Sequence, residues 1–269
     1  MASSKRLTLA VFVITLTACV PARVDTTPPS PIILALVTWN MNAGRGDLPR
    51  LVADLEAGRL TGRVPADFVV LLQEASDGQR DIDQMRREPL RLAREKSLSA
   101  FFTPVRDDGR RIRGNAIVAT RPLLDTRAID LPRERQRRMA VVAEMDVGGH
   151  RMFVASVHLE NRVSWLKGGL LSDKARGRQA EALVGALPAA EPGILGGDMN
   201  TWLGEREPAW RAFARRFEDT PPARLRPTLR DRLVLDHLFF DLPPEWHASR
   251  RVLEDAYGSD HHPVVGVIF

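Results

Sequence analysis

Hydrophobic positions along this chain follow two rhythms. Short runs rich in Val, Ile, Leu and Phe, closed by polar turns, predict strands at Ile33 to Asn40, Asp67 to Gln73, Asn115 to Thr120 and Met139 to Val147, then at Arg151 to Leu159, Gly193 to Gly197, Leu233 to Phe240 and Pro263 to Phe269. Apolar residues three or four apart predict helices over Leu48 to Ala57, Gln79 to Lys96, Asp173 to Leu187 and Glu207 to Phe217, with a break or kink at Pro89. Gly148-Gly149 reads as a tight turn between two of the strands. Strand follows strand in the middle of the chain and alternates with helix elsewhere. That mixture predicts an α/β fold of two packed sheets covered by outer helices, rather than a Rossmann sheet. No internal repeat and no glycine-rich phosphate loop is visible.

One segment fits neither rhythm. Leu7 to Leu16 is a continuous apolar run behind Lys5 and Arg6, too short to span a bilayer, and reads as a targeting segment occupying residues 1–18. It ends in Leu16-Thr17-Ala18-Cys19, small residues before the only cysteine of the chain, a pattern that resembles a bacterial lipobox. A lone thiol forms no internal disulfide, so Cys19 is expected to carry a lipid; a plain secretory signal is the alternative. Residues 19–31, with Pro21, Pro28, Pro29 and Pro31, read as an extended tether. Residues 32–269 then form one large domain, expected to be monomeric, exported and held at a membrane. Val20 rather than Asp after the cysteine points to the outer membrane, facing the periplasm.

The formal charge of +5 falls to +3 when Lys5 and Arg6 leave with the targeting segment. This mild excess is clustered, at Arg110-Arg111-Ile112-Arg113 and at Arg133 to Arg138. Such clusters suit phosphates of nucleic acid or lipid headgroups, and equally suit a solvated charged face.

The candidate chemistry sits where strands end. The pieces are Thr38-Trp39-Asn40-Met41-Asn42, Leu72-Gln73-Glu74, Gly114-Asn115-Ala116-Ile117 and Ser156-Val157-His158-Leu159. Further along come Gly196-Gly197-Asp198-Met199-Asn200, Leu235-Asp236-His237 and Ser259-Asp260-His261-His262-Pro263. Glu74 follows the apolar run Phe68 to Leu72, so it should emerge at the rim of a buried sheet, where a hard cation collects oxygen ligands. Asp198 and Asn200, one residue apart, share a face if extended: the carboxylate can orient or deprotonate water while the amide donates to a phosphoryl oxygen. An Asx turn is the plainer reading of that pair, as a turn cap is for Asn40 or Asn42. Asp260 and His261 are adjacent and diverge, so another carboxylate must orient the imidazole. Asp236, costly inside the apolar strand Leu233 to Asp236 unless paired, is the candidate. His158 closes an apolar strand and suits a donor to a phosphate oxygen or leaving group; His237 and His262 read as structural or exposed.

In order, Trp-Asn, Gln-Glu, Gly-Asn-Ala-Ile, His-Leu, Gly-Asp-Met-Asn, Leu-Asp-His and Ser-Asp-His-His-Pro, running from Trp39 to Pro263, resemble the endonuclease/exonuclease/phosphatase superfamily. The resemblance implies a four-layer α/β/β/α sandwich with two mixed sheets, hydrolysing a phosphoester with a divalent cation, usually Mg2+, with Mn2+ as a substitute. Carried over residue by residue, it makes Glu74 the principal metal ligand, helped by Asn42 or Asn40 and by Asp260. Asp198 and Asn200 handle the attacking water and the phosphate, and Asp236 orients His261 as acid/base. His158 matches a histidine of pancreatic-type deoxyribonucleases and sphingomyelinases, unlike abasic-site endonucleases. The disulfides of secreted deoxyribonucleases are absent, since the chain has one cysteine.

The resulting expectation is a phosphodiesterase or nuclease. A phosphatase or phospholipase acting on inositol phosphates or sphingomyelin is the enzymatic alternative, and a catalytically silent binding lipoprotein the non-enzymatic one. An exposed apolar loop within Arg162 to Gly177, containing Trp165 and Leu170-Leu171, would favour lipid.

Overall fold

A computed structural model of the protein describes residues 31–269, except 79–80, 108, 110–111, 162–171 and 223. Of the segment weighed for lipid contact, residues 162–171, with Trp165 and Leu170-Leu171, therefore lie outside the described residues, while Ser172 to Gly177 is helical.

The strands are β1 (Leu34–Asn40), β2 (Asp67–Asp77), β3 (Ser99–Asp107), β4 (Ile112–Ala119), β5 (Leu124–Asp130), β6 (Met139–Val147), β7 (His150–His158), β8 (Gly193–Asp198), β9 (Asp236–Asp241), β10 (Ala248–Val252) and β11 (Val264–Ile268). The helices are α1 (Leu48–Glu56), α2 (Ile82–Met85), α3 (Pro89–Lys96), α4 (Ser172–Ala186) and α5 (Pro208–Arg216). One sheet runs β10-β11-β1-β2-β4-β3 and the other β5-β6-β7-β8-β9. Each contains a parallel pair, β1 with β2 and β7 with β8, joined through α1 and α4 respectively; the remaining pairings are antiparallel.

Side-chain alternation explains the layering. In β1, Leu34 and Leu36 face the other sheet, meeting Val141, Val154, Ile194 and Leu238, while Ala35, Val37 and Trp39 turn outward onto Leu48, Leu51 and Leu55 of α1. In β7, Met152 and Val154 face inward, whereas Phe153, Ala155 and Val157 meet Leu183 of α4 and Phe213 of α5. Both faces of the central strands are thus covered, so their sequences read as unbroken apolar runs. Helix, sheet, sheet and helix make the four layers expected.

Gly148 and Gly149, with φ of 54° and 84°, form the two-residue turn joining β6 to β7, a conformation in which glycine avoids a Cβ clash. Gly196 serves close approach instead. A Cβ there would lie 2.6 Å from Leu71 Cδ1 and 2.9 Å from Thr38 Cβ, across the gap between the sheets.

The structure refines several elements. Of the break or kink expected at Pro89 within Gln79 to Lys96, the chain takes the break: two short helices replace one, and Pro89 opens α3. β2 continues past Gln73 to Asp77, so Glu74 does not end it. β9 begins at Asp236, because Leu233 is turned back to accept the backbone N–H groups of Thr228 and Leu229. Strands β3, β5 and β10 were not expected. All three are sheet edges with half-exposed, charge-bearing sequences, the composition that keeps an edge from pairing with other chains.

Candidate active site

Strand register assembles the site. His158 stands opposite Asp198, and Asp198 opposite Asp236, so the ends of β7 and β8 and the start of β9 set three reactive side chains side by side. Asn40 closes β1 in the other sheet and reaches across: its Nδ2 donates to Asp198 Oδ2 at 3.0 Å. All four residues are buried. A polar bridge beneath them joins the sheets. Gln73 Nε2 donates to Ser156 Oγ at 2.9 Å and Thr38 Oγ1 at 3.2 Å, and Ser156 Oγ donates to the Leu72 carbonyl at 2.9 Å.

Glu74 owes its direction to the backbone. The β2–β4 pairing slips between Leu72 and Ala75, and Glu74 takes a φ of 50°, a bulge that re-aims its side chain. Its Oε2 accepts the Ala43 backbone N–H at 3.0 Å. Asn200 also has a φ of 50°, and its N–H donates to Asp198 Oδ1 at 3.0 Å, so the Asx turn weighed for this pair is present. Asn200 Nδ2 donates to the Leu159 carbonyl at 3.2 Å.

His261 arrives from the loop between β10 and β11. Its Nδ1 lies 2.8 Å from Asp236 Oδ2, its Nε2 3.9 Å from Asp198 Oδ2, and His158 Nε2 3.4 Å from the same oxygen. The loop is pinned on several sides: Trp39 Nε1 donates to the His261 carbonyl, Ser259 Oγ donates to the Asn40 carbonyl, and the His262 N–H donates to the Thr228 carbonyl. Thr228 Oγ1 in turn accepts the Asp236 N–H at 3.1 Å. Thr228, fully buried and outside every motif, was invisible to sequence reasoning.

Two expected metal-side groups turn elsewhere. Asp260 pairs with Arg230 at 2.9 Å, and Asn42 Oδ1 accepts from Arg45 Nη1 at 3.4 Å, leaving Asn40 as the asparagine in contact with Asp198. His262 faces Asp231 at 3.3 Å; His237 is buried against Thr201 Oγ1 at 3.2 Å and the Trp210 ring.

Electrostatics separate the titrating groups. Burial, then the Asp236 charge, pushes Asp198 up to about 7, although His261, Asn40 and the Asn200 N–H oppose the rise. Burial pulls His261 down, yet the charge and hydrogen bond of Asp236, with Asp198 and Asp260 behind them, outweigh it and hold the imidazole at about 10. His158 falls well below the ordinary range through burial, Arg138 and His261. The centre therefore holds a charged His261, a neutral His158 and a carboxylate poised near neutrality, three protonation behaviours within one cluster.

Among the described residues, ligating atoms of Asp198, Asp236 and His261 lie within 4.8 Å of one another. The close Asp236–His261 contact is a hydrogen-bonded carboxylate–imidazole pair, so we read it as an orienting pair beside Asp198. Asp236 Oδ1 is buried with no hydrogen-bond partner. A buried cluster of this composition fits a hard divalent cation, and Glu74 lies on the lining of the neighbouring cavity with His158. That cavity, of ≈ 430 Å³, is also lined by Arg106, Arg113, Arg135 and Arg138. Arg138 was legible only as one member of a basic run, and its burial was not.

Comparison with known proteins bears on the fold and the family. Among curated proteins there is no match. Among solved structures, an endonuclease/exonuclease/phosphatase from Beutenbergia cavernae is 20% identical with a TM-score of 0.61, covering 87% of this chain and 71% of that one. The human Nocturnin catalytic domain, solved with a bound sulfate anion, is 20% identical at a TM-score of 0.60 over 88% and 94% of the two chains. Sphingomyelinase C from Streptomyces griseocarneus is 19% identical at 0.58 over 88% and 99%. At these identities the likeness is one of fold. The profile of the Endonuclease/Exonuclease/phosphatase family, however, matches residues 37–261, spanning every residue of the assembled site, and the chain belongs to that family.

Proposed function

We propose that this protein is an exported, divalent-metal-dependent phosphodiesterase. Family membership supports phosphoester hydrolysis in general. The observation that carries the finer reading is the Asp198 carboxylate, held by Asn40 and the Asn200 N–H while facing both histidines, one charged and one neutral.

Glu74 and Asn40 would hold the cation, Mg2+ or Mn2+, which when bound neutralises negative charge on the phosphoryl oxygens. Asp198, with its pKa raised to about 7, accepts the proton of the attacking water as the new P–O bond forms. His261, kept cationic by Asp236, donates to a phosphoryl oxygen as charge develops there. The P–O bond to the leaving group breaks in line, and neutral His158 Nε2 is placed to donate a hydrogen bond toward the departing oxygen. Asn200, whose Nδ2 also ties down Leu159, positions the carboxylate more than it binds substrate.

Export and anchoring through a lipid on Cys19 belong to the same reading and rest on the lipobox pattern. No described helix is long and apolar enough to cross a membrane. Labelling with radioactive palmitate in a bacterial host, lost in Cys19→Ala, checks the anchor.

The activity test uses the full chain in detergent with bis-p-nitrophenyl phosphate, plasmid DNA, sphingomyelin and inositol phosphates. Turnover that a chelator abolishes, that Mg2+ or Mn2+ restores, and that Glu74→Gln loses supports the proposal. Turnover indifferent to chelator refutes metal dependence. Silence on every substrate moves the protein to the binding class.

A further inference from the structure

The cavity beside Asp198 is more basic than one scissile phosphoester requires. Arg106 on β3 and Arg113 on β4 are direct register partners, placing two guanidinium groups across from each other at its wall. The register of β3 slips between Pro104 and Arg106, the kind of irregularity that redirects a side chain.

Arg138 supplies a second, independent sign. It lies at the cavity only 8% exposed, and its Nε has no hydrogen-bond partner. A buried guanidinium is tolerated where an acceptor completes its fork. Burial pulls its pKa down despite Glu160, Asp198 and Glu74 nearby.

The loop carrying Arg135 and Arg138 is also clamped in advance. Glu160, fully buried two residues beyond His158, accepts the backbone N–H groups of Arg135 at 3.1 Å and Gln136 at 3.0 Å through Oε2. Gln179 Oε1 accepts the Glu160 N–H at 2.8 Å, and its Nε2 donates to the Pro132 carbonyl at 3.0 Å. The loop is thus ordered before any ligand arrives, which removes part of the entropy lost on binding.

We propose that this cavity is a subsite for a second phosphate, the one flanking the scissile group along a polynucleotide strand, and that Arg106 and Arg113 determine that specificity. The inference rests on the phosphodiesterase reading above. A zwitterionic headgroup such as that of sphingomyelin carries no second phosphate to meet these cations. The basic residues come from two separate elements, the β3–β4 edge and the 132–138 loop. That placement suits a strand laid between them.

The test compares the full-length wild type with an Arg106→Gln/Arg113→Gln variant in detergent, using an oligothymidylate, bis-p-nitrophenyl phosphate and inositol 1,4,5-trisphosphate. Both replaced residues are at least partly exposed, so the fold should survive. For the oligonucleotide, kcat/KM should fall about 10- to 100-fold, mainly through KM, while the small diester is unaffected. The slope of log kcat/KM against log salt should shrink by about 0.7, the value for one lost single-strand phosphate contact. Equal losses on both substrates, or no loss on the oligonucleotide, overturn the proposal. So does an intact oligonucleotide with arginine-dependent turnover of the inositol phosphate. If the small diester is not cut at all, the phosphodiesterase reading fails separately. Strand binding by fluorescence anisotropy in chelator then still decides: weaker binding by the variant supports the subsite, and equal binding overturns it.

Discussion

Replacing Asp236 by Asn removes one charge yet leaves an oxygen to accept from His261 Nδ1, separating electrostatics from orientation. The contact is 2.8 Å, and both side chains are nearly or fully buried. His261 rises from 6.5 to about 10 against the downward pull of burial. That rise is worth roughly 5 kcal/mol of preference for the imidazolium. Without the Asp236 charge, burial prevails, and in Asp236→Asn the imidazole should titrate at or below its ordinary value. At pH 7.5 the variant then lacks its charged donor, and kcat should fall about 10²- to 10⁴-fold. NMR of the His261 Cε1 proton in chelated protein reads the first consequence and initial rates read the second. Linkage supplies a third readout. A folded-state pKa above the unfolded one stabilises fully below pH 6.5, and the contribution is lost as pH climbs toward about 10. The stability gap between wild type and variant should therefore be widest near pH 6 and close on the alkaline side. A wild-type His261 titrating near 6.5, or a variant within tenfold of wild-type kcat, would refute the reasoning.

Other expectations follow from buried groups elsewhere. His237 is held neutral, its pKa lowered to about 3 by burial and then by Arg250. The unfolded chain therefore binds more protons between pH 6.5 and about 3, and urea midpoints should fall on acidification across that window. The slope is up to about 1.4 kcal/mol per pH unit, and it should be flatter in His237→Asn. Gly196→Ala should cost about 1–3 kcal/mol in urea unfolding, since the added carbon must push Leu71 and Thr38 apart. Arg176 and Glu207 form a fully buried pair, doubly bonded at 2.7 Å and 2.8 Å. Breaking it with Glu207→Gln should destabilise by about 3–5 kcal/mol, whereas Arg176→Met/Glu207→Leu should recover much of that in a double-mutant cycle.

The central strands were legible because they are covered on both faces: Leu-Ala-Leu-Val-Thr-Trp-Asn in β1 has no polar alternation to confuse the reading. The edges β5 and β10 were hidden for the opposite reason. Asp125 and Arg127 in one, and Arg250 and Arg251 in the other, look like loop residues until a neighbouring strand pairs with them. At the site, the need of Asp236 for a partner could be read from its apolar surroundings, and the structure sets it against His261. The turn of Glu74 could not be read, because it is decided by the slipped pairing with β4 and by the Ala43 amide from another loop. Arg138 was concealed by company: charge alone does not say which arginine of a basic run points inward.

The polar bridge of Gln73, Thr38 and Ser156 has a consequence for how the molecule can move. Apolar faces between two sheets attract without direction, so by themselves they tolerate sliding of one sheet over the other. Asn40 and Glu74 ride on one sheet, whereas His158, Asp198 and Asp236 ride on the other. A slip of an ångström would therefore pull the Asn40–Asp198 contact apart while leaving most of the core buried. The Gln73 amide and Ser156 hydroxyl act as a dowel against that shear, placed one residue from Glu74 and two from His158. Heating that loosens this pin would silence the enzyme well before the sheets themselves come undone.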